Sequence, residues 1–322
     1  MMIVKFPKKD NVKIRINFFC MSNFNIIAKT KYAYIFSGIL TILSVLALFV
    51  WGLKFGIDFT GGTLMEFKFE KNVPANQEIE NTLKNLNLKS LTLQQTGSGS
   101  VLIRYASEDD KINQEVIKEI SEKYADAKNL RTDYANASVS SELKSKSLLA
   151  IFWAVIGIMT YIAIVFRRVS YPVASWKYGA GAVIALIHDI LITVGIFSVL
   201  GHFFDIEVGI PFIAALLTIL GFSVHDTIVV YDRTRENLQR SSSGKGHFPE
   251  VVNRSLNETL IRSINTSFTV IMTLIAIYIF GGDSIKYFAL ALLIGVTFGT
   301  YSSIFIASAL LVTSYNLQIK KK

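Results

Sequence analysis

Five ionisable residues interrupt long apolar stretches of this sequence. They are His188 and Asp189 in one stretch, His225 and Asp226 in the next, and Arg262 at the start of a third. A charged side chain inside a membrane helix costs about 2.5–3.5 kcal/mol on insertion scales, so each position requires a reason. We expect Asp226 near the cytoplasmic end of its helix, within reach of Arg262. The guanidinium would favour the ionised carboxylate and desolvation the neutral acid, which suits a group that binds and releases a proton.

Other roles are open to the same residues. His225, Asp189 and His188 are candidates for a proton relay, but these charges could instead hold neighbouring helices together, and Arg262 could extend to the cytoplasmic surface. An aspartyl hydrolase would need Asp189 and Asp226 with their carboxyls about 3 Å apart. The Gly-x-Gly-Asp context of such intramembrane proteases is absent, because the sequence reads "GFSVHD". Metal binding by the histidines and aspartates has no diagnostic spacing. We expect no metal, no cofactor and no enzymatic activity.

The composition indicates a membrane protein. Hydrophobic residues make up 51% of the chain and charged residues 18%, and the mean hydropathy is +0.43, which is too apolar for an ordinary soluble protein. A helix needs roughly 20 apolar residues to cross about 30 Å of hydrocarbon. Six stretches meet or nearly meet that length: 32–53, 148–166, 178–204, 208–231, 265–280 and 285–315. The last five form one transmembrane region, 148–315.

The distribution of lysine and arginine predicts the orientation of these helices. Basic residues mark the cytoplasmic side, and they are concentrated in the tail 1–31, in the links after the second and fourth stretches, and in the tail 316–322. The remaining short connections are acidic or nearly neutral. The alternation predicts six transmembrane helices with both termini in the cytoplasm. The net charge of +9 follows from this distribution and does not form the aromatic-interleaved patch that would indicate nucleic-acid binding.

The long outer connection, residues 54–147, is predicted to form a small α+β domain. "TLMEFKFE" alternates apolar and polar residues as a half-buried strand does. A helix capped by Asn76, a hairpin around "TGSGS" and a second helix opening at Ser107 follow. A weaker strand over about 129–139 completes a β-α-β-β-α-β order, which is the split βαβ, ferredoxin-like arrangement.

The stretch "GIDFTGGT" joins the first membrane helix to this domain. Gly61 and Gly62 let the chain bend tightly as it leaves the lipid and enters the first strand at Thr63. Asp58 is expected to cap the turn through its carboxylate. We interpret Asp58, Gly61, Gly62 and Thr63 as a rigid signature hinge, with direct contact to a substrate as the alternative.

Several motifs resemble those of one family across nearly the whole chain from Phe55 onward. "FGIDFTGGT" is similar to the signature of the SecD/SecF family, membrane accessories of the bacterial protein-export channel. "GAGAVIALIHDILITVGIFSVL", "PFIAALLTILGFSVHDTIVVYDRTREN", "NETLIRSINTS" and "GGDSIKYFALALLIGVTFGTYSSIFIA" then follow in the order of its SecF branch. Two features depart from the family pattern: His225 stands where an amide is usual, and "NASVS" replaces Val-Gly-Pro before the second helix.

The resemblance implies a function and a set of partners. The family is similar to the proton-driven RND transporters, and Asp226 of "DTIVV" and Arg262 of "TLIRS" occupy positions that it assigns to proton conduction. It implies a multi-pass protein of the bacterial inner membrane that pairs with a SecD-like subunit and acts on unfolded preproteins at the Sec channel, driven by the proton gradient. An RND-type proton-coupled exporter of small molecules or lipids is the alternative, and sodium could replace protons.

Overall fold

The computed structural model describes residues 24–70, 72–96, 99–107, 109–135, 137–167, 172–240 and 248–320. Most of the basic tail 1–31 and the last two residues of the tail 316–322 lie outside this part. In chain order the elements are α1 (Thr30–Val50), α2 (Ile57–Thr60), β1 (Gly62–Phe69), α3 (Asn76–Leu83), β2 (Thr92–Gln95), β3 (Ser100–Tyr105), α4 (Asp110–Lys123), β4 (Ala127–Ala135), α5 (Ala137–Val165), α6 (Ser175–Phe204), α7 (Ile210–Arg240), α8 (Phe248–Phe280), α9 (Asp283–Ser302), a π-helical segment (Ser303–Ala307) and α10 (Ser308–Lys320).

Six helices of the described chain are long and apolar enough to cross a membrane, which confirms the predicted number. They are α1, α5, α6, α7, α8 and one continuous helix made of α9, the π-helical segment and α10. In the apolar windows of α6, α7 and this last helix, half or more of the residues are buried, against 22% in α1 and 6% in α5. α6, α7 and the last helix therefore form the centre of the bundle, and α1 and α5 lie at its edge.

Several helices extend beyond the apolar stretches that predicted them. α5 begins at Ala137 rather than at 148, α8 begins at Phe248 rather than at 265, and α7 continues to Arg240 rather than ending at 231. Hydropathy detects the part of a helix that lies in hydrocarbon, whereas a helix continues into water wherever polar side chains support it. Arg233 supports the α7–α8 extension by donating to Glu258 over 2.6 Å.

Small residues let the central helices approach closely, as is typical of membrane bundles. A Cβ on Gly195 of α6 would lie 2.6 Å from the Cα of Ser44 in α1. A Cβ on Gly295 of α9 would lie 2.2 Å from the side chain of Ile219 in α7. At these two glycines α6 and α9 approach their neighbours so closely that any larger residue would collide with Ser44 or Ile219.

The domain between α1 and α5, the predicted outer domain, is a four-stranded antiparallel sheet with two helices. The strand order is β2-β3-β1-β4, so β1 lies in the middle and pairs with both β3 and β4. Alternate residues of β1 enter the core, and Met65 and Phe67 have no exposed surface. Val116 and Ile120 of α4 complete that core. The strand period of two predicted this face.

Candidate functional site

Asp189 is the most completely buried acid among the described residues. Its Oδ2 accepts hydrogen bonds from the Oγ atoms of Ser223 in α7, at 2.6 Å, and Ser302 at the end of α9, at 2.7 Å. Its Oδ1 lies 2.9 Å from Nδ1 of His188. The side chain is 0% exposed. Asp189 thus ties α6 to both of the other central helices.

Asp226, in α7, is also bound by two serine hydroxyls. Oδ1 accepts a hydrogen bond from Ser263 of α8 at 2.6 Å, and Oδ2 accepts one from Ser303 at 2.9 Å. The residue is 4% exposed. Each of the two aspartates is therefore bound by two serine hydroxyls that come from two different helices.

Neighbouring serines of the last helix connect the two aspartates. Ser302 donates to Asp189 and Ser303 donates to Asp226. Successive residues of a helix point about 100° apart, so one serine reaches α6 and the other reaches α7. The π-helical segment begins at Ser303, and such segments are frequent at functional sites because they interrupt the regular helical ladder. Ser308 donates to the carbonyl of Ser303 at 3.1 Å.

The cluster lies nearer the N-terminal end of α1 than its C-terminal end. Ser37 of α1 donates to the hydroxyl of Tyr301, the residue before the paired serines, over 3.1 Å. Ser37 is 7 residues from Thr30 and 13 from Val50, which corresponds to about 10 Å and about 20 Å along the helix. The serines that bind the aspartates therefore lie about one third of the way along α1 from its N-terminal end.

The structure places the two histidines differently. His188 is buried beside Asp189, and its Nε2 has no hydrogen-bond partner among the described residues. His225 is exposed on the outside of α7. Adjacent residues of a helix point about 100° apart, but the side chains of His188 and Asp189 meet through the contact between Nδ1 and Oδ1.

Arg262 does not contact Asp226 in this structure. It is exposed, and within the described residues no ion pair joins it to that carboxyl; the contact is made instead by the next residue, Ser263. α7 and α8 are antiparallel, and Asp226 of α7 faces Ser263 of α8. One residue earlier on each helix, the side chain points about 100° away from this contact. Because the helices are antiparallel, both rotations turn toward the same side of the helix pair. His225 and Arg262 therefore share one exposed face.

The serines of the cluster were missed as site residues by sequence reasoning. They are Ser223, Ser263, Ser302 and Ser303. A hydroxyl costs little in an apolar helix and does not disturb the hydropathy pattern. Their spacing from the ionisable residues could have indicated them. Ser223 lies three residues before Asp226, and Ser263 directly follows Arg262.

The arrangement limits the chemistry. No hydrogen bond joins the carboxyls of Asp189 and Asp226 among the described contacts, so they do not form the proton-sharing dyad of an aspartyl hydrolase. In the described part of the chain, no group of three or more His, Cys, Asp or Glu side chains is placed to hold a metal ion. Each carboxyl is instead bound by two serine hydroxyls of its own.

The signature hinge makes contacts that the sequence did not indicate. Asp58 was expected to cap its own turn, but its Oδ2 accepts a hydrogen bond from the backbone N–H of Ile210, at the start of α7, over 2.9 Å. Gly61 and Gly62 have φ values of 75° and 116°. Thr63 donates to the carbonyl of Ser107 at 2.6 Å. The hinge is thus bound both to the outer domain and to α7.

Comparison with known proteins assigns the chain to a family. Residues 115–317 match the family described as protein export membrane protein SecD/SecF, C-terminal, and residues 46–73 match the SecD/SecF GG motif. The protein translocase subunit SecF of Thermobaculum terrenum is 42% identical over 303 residues, which cover 90% of this chain and 94% of that protein. That of Sebaldella termitidis is 39% identical over 288 residues, covering 88% and 89%.

Solved structures agree with this assignment. The crystal structure of SecDF, a translocon-associated membrane protein from Thermus thermophilus, matches with a TM-score of 0.82 and 31% identity over 92% of this chain. SecDF in the super-membrane-facing form matches with a TM-score of 0.66 and 30% identity over 92% of this chain. The chain spans about two fifths of those SecDF chains, 40% and 39%. The motif matches, identities and shared architecture place this multi-pass membrane protein in the SecF family of bacterial protein translocase subunits.

Proposed function

We propose that this protein, paired with a SecD-like subunit, uses the proton-motive force to promote export of unfolded preproteins through the Sec channel. The observation that carries the proposal is the site at Asp226, a buried carboxyl held by hydroxyls from α8 and from the last helix. When such a carboxyl gains a proton, its hydrogen bonds to the surrounding hydroxyls must rearrange. Arg262, His188, Asp189 and the exposed His225 remain candidates for the path of that proton.

Protonation of Asp226 would redistribute the hydrogen bonds that join the helices. An ionised carboxylate only accepts hydrogen bonds, whereas the neutral acid also donates one. Ser303 has an alternative acceptor, because its Oγ lies 2.9 Å from the carbonyl of Thr300 in its own helix. When Asp226 becomes neutral, Ser303 can keep that internal bond and release α7. Hydrogen bonds to charged groups contribute about 1.5–3 kcal/mol, so the contact between α7 and the last helix would weaken.

The proton gradient supplies enough energy for such a step to be repeated. Moving one charge through 100 mV yields about 2.3 kcal/mol, which is of the same order as the hydrogen bond that is exchanged. Several protons per cycle would allow mechanical work on a polypeptide outside the membrane. No covalent chemistry is involved in this proposal.

The shared face of His225 and Arg262 supports a second membrane subunit as partner. An exposed guanidinium within a membrane helix is costly in lipid. Thr266, Thr269 and Thr273 continue the polar face of α8 beyond Arg262, and all three are exposed. We infer that helices of the SecD-like subunit cover this face. The SecDF chains, of which this chain spans about two fifths, agree with a partner of comparable or larger size.

The outer domain would meet the polypeptide. Its element order and its sheet order β2-β3-β1-β4 support the split βαβ, ferredoxin-like class. The concentration of basic residues in the tails and in the segment 232–264, between the fourth and fifth apolar stretches, supports an orientation with both termini in the cytoplasm. In that orientation the domain faces the compartment into which preproteins emerge, outside the inner membrane.

Export from vesicles containing the channel, the SecD-like subunit and this protein tests the proposal. Asp226→Asn should remove the stimulation of export by a proton gradient and leave export without a gradient unchanged. Asp232→Asn is the matched control, because Asp232 lies on the same helix with 68% of its side chain exposed. Full gradient stimulation in the Asp226→Asn complex would contradict the proposal.

A further inference from the structure

The outer domain and the membrane helices meet at the loop 205–209, between α6 and α7. The N–H of Val208 donates to the carbonyl of Lys54 at 2.8 Å, and the N–H of Gly56 donates to the carbonyl of Val208 at 2.9 Å. Phe55 and Val208 therefore form a parallel β-bridge. The segment that leaves α1 and the segment that enters α7 are thus fastened together by backbone hydrogen bonds.

The first turn of α7 is fixed to the same place through Asp58. Its carboxylate accepts from the N–H of Ile210 at 2.9 Å, where the positive end of the helix dipole favours a negative charge. The close approach requires glycine at position 209, because a Cβ there would lie 2.4 Å from Oδ2 of Asp58. Asp58 also lies four residues before β1, so one side chain connects the membrane helix to the hinge.

An ion pair between the sheet and the loop adds a contact with the body of the outer domain. The guanidinium of Arg104, in β3, pairs with the carboxylate of Glu207, three residues before α7. The side chains are 20% and 12% exposed. Burial lowers the pKa of Arg104 to about 10, and the carboxylate of Asp58 opposes that shift. Glu207 and Asp58 therefore place two acids near one partly buried cation.

The pair leaves polar atoms without partners. Nε of Arg104 and Oε2 of Glu207 are buried and have no hydrogen-bond partner among the described residues. Buried ion pairs of this kind contribute little net stability, because desolvation offsets their attraction, but they favour one geometry over others. The contact is thus better suited to setting the position of the domain than to holding it irreversibly.

We propose that Arg104, Glu207 and Asp58 form a latch that transmits movement of α7 to the outer domain. The inference rests on the proposed function, since Asp226 lies on the same helix. Asp226 is 16 residues after Ile210, or about 24 Å along α7. A shift of α7 that follows proton binding moves Ile210 and the loop 205–209 with it. Through Asp58 the shift reaches the hinge, and through Glu207 it reaches the sheet.

Glu207→Gln tests the latch in the complete complex with the SecD-like subunit and the channel. The change keeps the shape of the side chain and removes its charge, so it should uncouple the outer domain from α7. Coupling free energies between sites are typically about 1–3 kcal/mol, or about 5- to 150-fold, so we expect at least about a fivefold loss of gradient-stimulated export. Proton flux through the complex should persist.

A charge exchange and a surface control make the result decisive. Arg104→Glu combined with Glu207→Arg should restore stimulation, whether or not Glu207→Gln assembles. Exchange of Lys128 and Glu70, a pair in the same domain with side chains 68% and 55% exposed, should change nothing. Full stimulation in Glu207→Gln, or an assembled charge-exchange complex without stimulation, would overturn the latch. Full gradient stimulation in the Asp226→Asn complex would instead overturn the proposed function. The two failures are therefore distinguishable.

Discussion

Replacement of Gly62 by alanine should destabilise the outer domain through both backbone strain and a close contact. Gly62 has a φ of 116°, and a Cβ there would lie 2.5 Å from the carbonyl oxygen of Tyr105 in β3. The left-handed backbone costs about 1–2 kcal/mol for an L-residue, and forced repacking costs about 1–3 kcal/mol more. We therefore expect a loss of about 2–5 kcal/mol.

Hydrogen exchange of the β1 amides in the full-length protein measures this loss, since β1 is an inner strand that pairs with both β3 and β4. A loss of 2 kcal/mol corresponds to exchange that is about 30-fold faster. Gly99→Ala is the matched control: its φ is 80°, but the nearest atom to its Cβ would be 3.8 Å away, so only the backbone cost of about 1–2 kcal/mol applies. Exchange in Gly62→Ala that is no faster than in Gly99→Ala would refute the argument from the close contact with Tyr105.

Three further predictions follow from the packing and the charges. Gly295→Ala should lower thermal stability by about 1–3 kcal/mol, because its Cβ would lie 2.2 Å from Ile219; an unchanged melting temperature would contradict this. Ser302→Ala should cost about 1.5–3 kcal/mol in denaturant unfolding, since it removes a donor to a buried carboxylate, and a loss below that range would mean the bond is weak. The hydrogen bond from Lys128 lowers the pKa of Glu70 below 4.5, so this contribution is present above pH 4.5 and is lost as the pH falls through the folded-state value. Glu70→Gln should flatten the acid side of the stability profile at low salt, and an identical profile would be evidence against the pair.

The general architecture could be predicted because its signals are local. Each apolar stretch is long enough by itself to indicate a membrane helix, and the alternation in β1 is complete within eight residues. The ends of the helices were not accessible in this way. α8 begins at Phe248, and its first turns carry polar residues, among them Ser255 and Glu258, which bind α7, so the hydropathy signal begins well inside the helix.

The site could be predicted only in part, for reasons of geometry. Asp189 and Asp226 stand out because an acid in hydrocarbon is costly wherever it faces. Which neighbour meets Asp226 depends on the rotation of α8, and a shift of one residue turns the helix by about 100°. That rotation brings Ser263 to the carboxyl and exposes Arg262. The long-range bond from Asp58 to Ile210, 152 residues apart, has no signal in the local sequence.

Proton flux through the complex in vesicles tests the central claim most directly. The complex with its SecD-like subunit is reconstituted with a proton gradient, in the absence and presence of sodium, and flux is compared for the parent, Asp226→Asn and the exposed-residue control Asp232→Asn. We predict that Asp226→Asn abolishes proton flux and that Asp232→Asn leaves it unchanged. Undiminished proton flux in the Asp226→Asn complex would contradict the account.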